Sequence, residues 1–289
     1  MNFIYTSPRG ETFDFANNDY FYLLNVDGLT AAETSLSALT FGNMDGDLVT
    51  NIAAQARTLV LDLRVKDGVN VEQATRHVLR TVKLKQKCTI YWTQNSRTWK
   101  MDGLVEAVEQ PRFTNTVTMQ VTIHCSKGFW EDVTAQQTEI SDARPLHYFT
   151  STPGDELYFP VGAPIPLGEY DTSRTKDFVN NGDVAVGMQI EIIAYKTATN
   201  PIIYGADGAF FGVGYDAKPV VMAPGDKIII DTRSGSKSVT LNGVNVLEKI
   251  KPRSTWLQLA AGENEFSIDA DEADTDNVTF TLIYTQRYI

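Results

Sequence analysis

Residues 59–87 read LVLDLRVKDGVNVEQATRHVLRTVKLKQK, and they place a strand and a helix side by side in the chain. LVLDLRV at 59–65 is rich in β-branched and aliphatic residues and alternates as a strand with one buried face does. Asn70 is a good N-cap, with Gln73 in the capping-box position three residues on. Val71, Ala74, Val78 and Val82 then recur at helical spacing with Leu79 beside them, which predicts a helix running to about Val82. Glu72 and Arg76 stand at i,i+4 and add a few tenths of a kcal/mol, ~0.2–0.5. The outer face and exit of this helix are basic, with Arg76, His77, Arg80, Lys83, Lys85 and Lys87, and no acidic residue occurs from Arg76 to Met101.

Working outward, β signals dominate. Stretches 88–93 (CTIYWT), 117–124 (VTMQVTIH), 189–195 (QIEIIAY), 227–231 (KIIID) and 278–284 (VTFTLIY) read as strands. Pro153–Gly154, Gly162 to Pro166, Pro224–Gly225 and Gly262 punctuate the gaps. The polar, aperiodic stretch ending at Pro145 reads as a linker. The expected organisation is a first domain over 1–132, a linker over 133–146 and a second domain over 147–289. The expected fold class is mainly β with one helix: an α+β domain followed by an all-β, jelly-roll-like sandwich.

The chain has 289 residues and a formal charge of −11. Residues 1–145 hold 14 Lys/Arg and 17 Asp/Glu, and the acidic excess is larger beyond them. An acidic protein does not collect nucleic acid by counterion release, although it can line a channel along which a polyanion slides. No stretch approaches the ~18–20 apolar residues of a membrane helix. The start, MNFIYTSPRGETFDF, lacks a basic region followed by an apolar run, so no signal peptide is expected. Cys88 and Cys125 are too few for a disulfide framework, which fits synthesis in a reducing cytoplasm.

No catalytic chemistry is legible. His124 and Cys125 are neighbours in a strand, so their side chains point to opposite faces. Gly212 to Ala217 fits a loose G-x-G-x-x-A pattern, but Pro219 and a β-like run follow where a phosphate loop needs a helix. The acidic run Asp269, Asp271, Glu272, Asp274, Asp276 departs from a calcium loop at Ala273 and Asp274 and reads as a solvated connection. Trp256-Leu257-Gln258-Leu259 alternates as a half-buried strand does, so Trp256 reads as core before it reads as a sugar-stacking platform. Catalytic, cofactor-binding and metal-binding residues are therefore expected to be absent. The interface candidates are Arg76, Arg80, Lys83, Lys85 and Lys87.

Several short motifs, in order, resemble the distal tail protein (Dit) family of tailed bacteriophages, especially siphophages of Gram-positive hosts. They are Leu24-Asn25-Val26-Asp27-Gly28-Leu29, Asp45-Gly46-Asp47, Arg57 to Leu63, Tyr91-Trp92 and Asp102-Gly103-Leu104-Val105-Glu106. Ile123 to Asp132 resembles the family's C-x-D-P-F-W ending, with Lys127-Gly128 where Asp-Pro is usual. In the second half the resemblance continues through Phe178 to Asp183, Asn200-Pro201, Gly225 to Thr232, Val239 to Gly243 and Leu259 to Asn264.

The resemblance implies a belt domain that closes six copies into a ring, and a galectin-like β-sandwich facing outward. The homo-hexamer would join the tail tube protein to the tail-associated or tail tip protein at the distal end of the virion tail. A receptor-binding protein or cell-wall polysaccharide would be a further partner. Tape measure and DNA would pass through the ring without specific binding, with no membrane partner, no cofactor and no enzymatic activity. The alternative is a carbohydrate-binding host-adsorption module on a phage tail or tail-like particle.

Overall fold

The computed structural model of the chain describes residues 2–30, 33–42, 45–110, 117–138, 143–145, 168–170, 175–205, 208–271 and 277–289. His147, the turns at 153–154 and 162–166 and the acidic positions 272–276 lie outside the described residues. By its contacts the chain divides into two units, Met1–Thr134 with Arg287–Ile289, and Ala135–Gln286. The fold is mainly β, with one α-helix among the described residues.

In the first unit the elements in chain order are β1 (Asn2–Thr6), β2 (Thr12–Asp14), β3 (Phe21–Asp27), β4 (Thr34–Thr40), β5 (Asp47–Ala54), β6 (Arg57–Val65), α1 (Val71–Thr81), β7 (Lys87–Gln94), β8 (Arg97–Glu109), β9 (Thr118–Cys125) and β10 (Trp130–Asp132). One antiparallel sheet runs β2-β1-β7-β8-β9-β6-β3. The period-two alternation sets its faces. Leu59, Leu61, Leu63 and Val65 of β6 point inward beside Met119, Val121, Ile123 and Cys125 of β9. Ala74 and Val78 of α1, and Val82 just after it, complete this core.

Asn70 caps the helix as expected: its side chain accepts from the amides of Glu72 at 3.0 Å and Gln73 at 3.1 Å. Leu79, expected near the apolar stripe, is instead 45% exposed. The helix stops because Val82 turns extended, with ψ 91°.

Two details of the first unit were not visible in sequence. Gly28 has φ +85°, and a Cβ there would sit 2.2 Å from the Thr58 carbonyl oxygen, so the turn after β3 needs a glycine on two counts. A short strand, Arg287–Tyr288, pairs with β10, Trp130 facing Tyr288. It closes the end of the core that holds Trp92, Trp99 and Trp130, with Trp92 and Trp130 ring centroids 5.4 Å apart. Residues 287–288 thus belong by pairing to the unit that the chain left at Thr134.

The second unit is a sandwich of two antiparallel sheets. One orders the strands Gln136–Thr138, Val278–Tyr284, Met188–Ala194, Lys227–Asp231, Ser238–Leu241 and Val244–Asn245. The other orders Thr175–Asn180, Gly262–Asp269, Ile202–Tyr204 and Phe210–Gly212. Ile190, Ile192, Ile228, Ile230, Phe280 and Leu282 from the first sheet share one core with Phe178, Ile203, Phe211, Phe266 and Ile268 from the second. Gln136–Thr138, inside the stretch read as a linker, pair with Leu282–Tyr284: a polar strand suits a sheet edge.

The motif residues of this unit are mostly turns and caps. Asn242 (φ +50°) and Gly243 (φ +82°) form the two-residue turn between Leu241 and Val244. Asp226 accepts from the Ala223 amide and from Asn242 Nδ2, both at 2.8 Å. Asn200 accepts from the Val220 amide at 2.9 Å and donates to Asp271 at 2.5 Å.

Replacing Asn70 with Ala is expected to cost about 1 kcal/mol, read as a lower denaturant midpoint in chemical unfolding followed by circular dichroism. Gly28→Ala is expected to destabilise more than that, because the backbone at Thr58 must move to admit the methyl.

Candidate assembly surfaces

Strands β4 and β5 form a two-stranded sheet of their own, paired from Thr34–Ala54 to Thr40–Asp47. Every residue of β5 is exposed, and Ser35 alone in β4 is half-buried. Leu36, Leu39, Phe41, Leu48, Val49 and Ile52 are 47% to 64% exposed. Leu36 pairs with Ile52 and Ala38 with Val49, and a bulge that leaves Thr50 unpaired in the register lets both pairs share one face. Leu39 pairs with Leu48 toward the tip, next to the pair Thr40–Asp47. Between Thr34 and Ala54 the charged residues are Asp45 and Asp47. An isolated hairpin is marginal in water, and contiguous exposed apolar residues mark a surface that another molecule covers. We call this element the arm.

At its root, Gln55 donates its amide to the Glu33 carbonyl at 2.8 Å. Two residues on, Arg57 is buried, and Nη1 donates to the Leu29 carbonyl at 3.2 Å. Burial lowers the Arg57 pKa, and its Nε and Nη2 have no hydrogen-bond partner among the described residues.

The five basic candidates do not form one patch. Arg76 and Arg80 border a cavity of about 400 Å³ beside the start of α1, which Tyr20, Asn70 and His77 also line. His77 stacks on Tyr20 with centroids 4.4 Å apart. Arg76 pairs with Glu72 at 2.6 Å, an exposed i,i+4 bridge of little net value. Lys83 reaches Glu11 at 3.7 Å.

Lys85 and Lys87 belong to a different place. Lys85 turns with φ +62°, and its amide donates to the Val105 carbonyl at 3.0 Å, while Val105 donates back to Gln86 at 3.3 Å. This stitches the helix exit to β8, so that Lys87 faces Leu104 and Leu104 faces His124. An open groove of about 630 Å³ follows, lined by Lys87, Leu104, His124 and Lys127 with Thr6 to Pro8 along one side. Lys127 bridges to Glu131 at 3.3 Å, and Thr89 donates to Asp102 at 2.9 Å. Among the described residues, Arg80, Lys85 and Lys87 have no ion-pair partner.

Sequence reading found the basic residues and missed the arm. The signal was present: two alternating segments, TSLSALT and DLVTNIAA, flank the Asp45-Gly46-Asp47 turn.

The other motifs fall to structure. Cys125 is buried while His124 is exposed, on opposite faces of β9. Gly103 lies between the strands that carry Cys88 and Cys125, and burial holds both thiols up at about 12. Gly212 ends a strand and Tyr215 to Lys218 make a turn, with no helix behind the glycines. Trp256 belongs to no strand, contrary to its alternation; its ring packs on Phe211 at 4.9 Å with the Lys237 ammonium 5.3 Å above it. Asp269 and Asp271 are the described part of the acidic run. Among the described residues no cluster of His, Cys, Asp and Glu has metal-holding geometry.

Residues 181–288 match the family described as siphovirus-type tail component, C-terminal domain. Over nearly its whole length the chain has the fold of the Dit protein (gp 19.1) of phage SPP1, whose crystal structure is described as a paradigm of the hub adsorption apparatus in phages that infect Gram-positive bacteria. The two are 16% identical, the TM-score is 0.67, and 99% of each chain is covered. The phage p2 baseplate in its activated conformation is a more distant likeness. Its strontium and calcium forms give 12% and 11% identity and a TM-score of 0.44, with 99% of this chain and 97% of the other covered. No curated protein matches. The family match over residues 181–288 and the fold of the whole chain together bear out the resemblance to distal tail proteins.

Both thiols are expected to resist iodoacetamide at pH 8 in the native protein and to react once it is unfolded, as mass spectrometry would read. Because their folded pKa values of about 12 lie above the ordinary thiol value, their contribution to stability is intact below pH 9 and is lost as pH rises from there toward 12.

Proposed function

We propose that the chain is a tail hub: six copies close into a ring at the distal end of the tail, between the tail tube and the tip or baseplate. The observation that carries this reading is the arm, an apolar two-stranded sheet that its own chain leaves exposed. A closed ring needs two different complementary patches on each subunit. The arm is one, and the basic residues Arg76, Arg80, Lys83, Lys85 and Lys87 supply cationic surface for others.

The tape measure and then DNA pass through the ring. A formal charge of −11 per copy favours a bore that repels phosphate rather than binding it. The second unit, a separate sandwich, presents the surface on which receptor-binding or tip proteins assemble. The rival carbohydrate-module reading asks for an open aromatic platform, and Trp256 is instead engaged by Phe211 and Lys237.

Multi-angle light scattering and negative-stain imaging test the ring. The full chain is expected to give a six-fold annulus, and Leu36→Ser with Ile52→Ser is expected to shift it to monomer without changing the circular dichroism of the folded unit. A monomer at every concentration would reject the ring.

A further inference from the structure

The arm and the groove carry matching chemistry at two separate places on the first unit. The arm tip brings the exposed side chains Leu39, Leu48 and Phe41 beside Asp47, with Asp45 two residues away, and it carries no basic residue. The helix exit and groove bring exposed Leu84 and Leu104 beside Lys85 and Lys87, whose ammonium groups have no ion-pair partner among the described residues. Each surface is thus a pair of leucines next to two like charges, and the charges are of opposite sign. Lys127 is already bridged to Glu131, so it does not compete for the partner, and Lys85 and Lys87 outnumber the groove carboxylate Asp102, which Thr89 bonds.

We infer that the arm tip of one copy docks at the β7–β8–β9 groove of a second copy, with Asp45 and Asp47 against Lys85 and Lys87 and the tip leucines against Leu84 and Leu104. The inference rests on the ring reading and names its contact. Because the two surfaces are different parts of one subunit, the contact is head-to-tail, and each copy uses its arm on one neighbour and its groove on the other. The leucines supply the buried apolar area, and the charges fix which face of the arm meets which side of the groove.

The charge pattern gives a direct test with the full chain. One variant carries D45K and D47K, so its arm and its groove are both positive; the other carries K85E and K87E, so both are negative. Each alone is expected to raise the concentration at which half the protein assembles by about tenfold or more, since like charges then face each other. Mixed in equal amounts, they are expected to assemble in strict alternation, because each arm then meets a groove of opposite sign; native mass spectrometry reads the one-to-one composition. Both variants are checked for native circular dichroism first. Assembly of either variant alone at the wild-type midpoint, or failure of two folded variants to assemble when mixed, overturns the docking. A wild-type chain that stays monomeric instead overturns the ring reading beneath it.

Discussion

A two-stranded sheet cannot bury its own apolar face. It has two surfaces and no third layer, so its leucines and isoleucine meet water unless another molecule covers them. The arm of this chain is such a sheet, fifteen residues in two strands with nearly every side chain exposed. Fixing its backbone costs conformational entropy that an isolated hairpin does not recover. The rest of the first unit supplies what the arm needs to project: a seven-strand path of antiparallel sheet, a capped helix on one face, and a root bonded from Gln55 to Glu33.

Among the described residues, side chains that often carry chemistry are used to build the fold. Its cysteines are core residues beside a glycine, with thiols kept protonated by burial. Its conspicuous asparagines and aspartates are spent on turns, as Asn200, Asp226 and Asn242 are. The surface of the first unit carries an apolar arm with an acidic tip and a basic helix exit.

Much of the fold was legible because its periods are clean. LVLDLRV became β6, the helix stopped where Val82 was expected, and the runs at 117–124, 189–195, 227–231 and 278–284 all became strands. The arm was illegible as an arm, because alternation says that one face differs from the other and not that a core lies beneath. Trp256 packs against the core as expected, but Leu79 and the strand expected around Trp256 failed for a related reason: sequence spacing does not say how far a helix rolls or whether an extended segment finds a hydrogen-bonded neighbour. The strand at Arg287–Tyr288 follows a separate unit, and nothing local in QRY announces a return to Trp130. The basic candidates were found as a linear run, and only the turn at Lys85 divides them between two places.

Hydrogen exchange on the arm amides, followed against protein concentration, tests the central claim most directly. If copies cover one another's arms, residues 34–40 and 47–54 exchange quickly in dilute protein and become protected as the mass rises to that of the ring. Arm amides that exchange equally fast in monomer and assembly would contradict it, because the apolar sheet would then be uncovered in the state where it is needed.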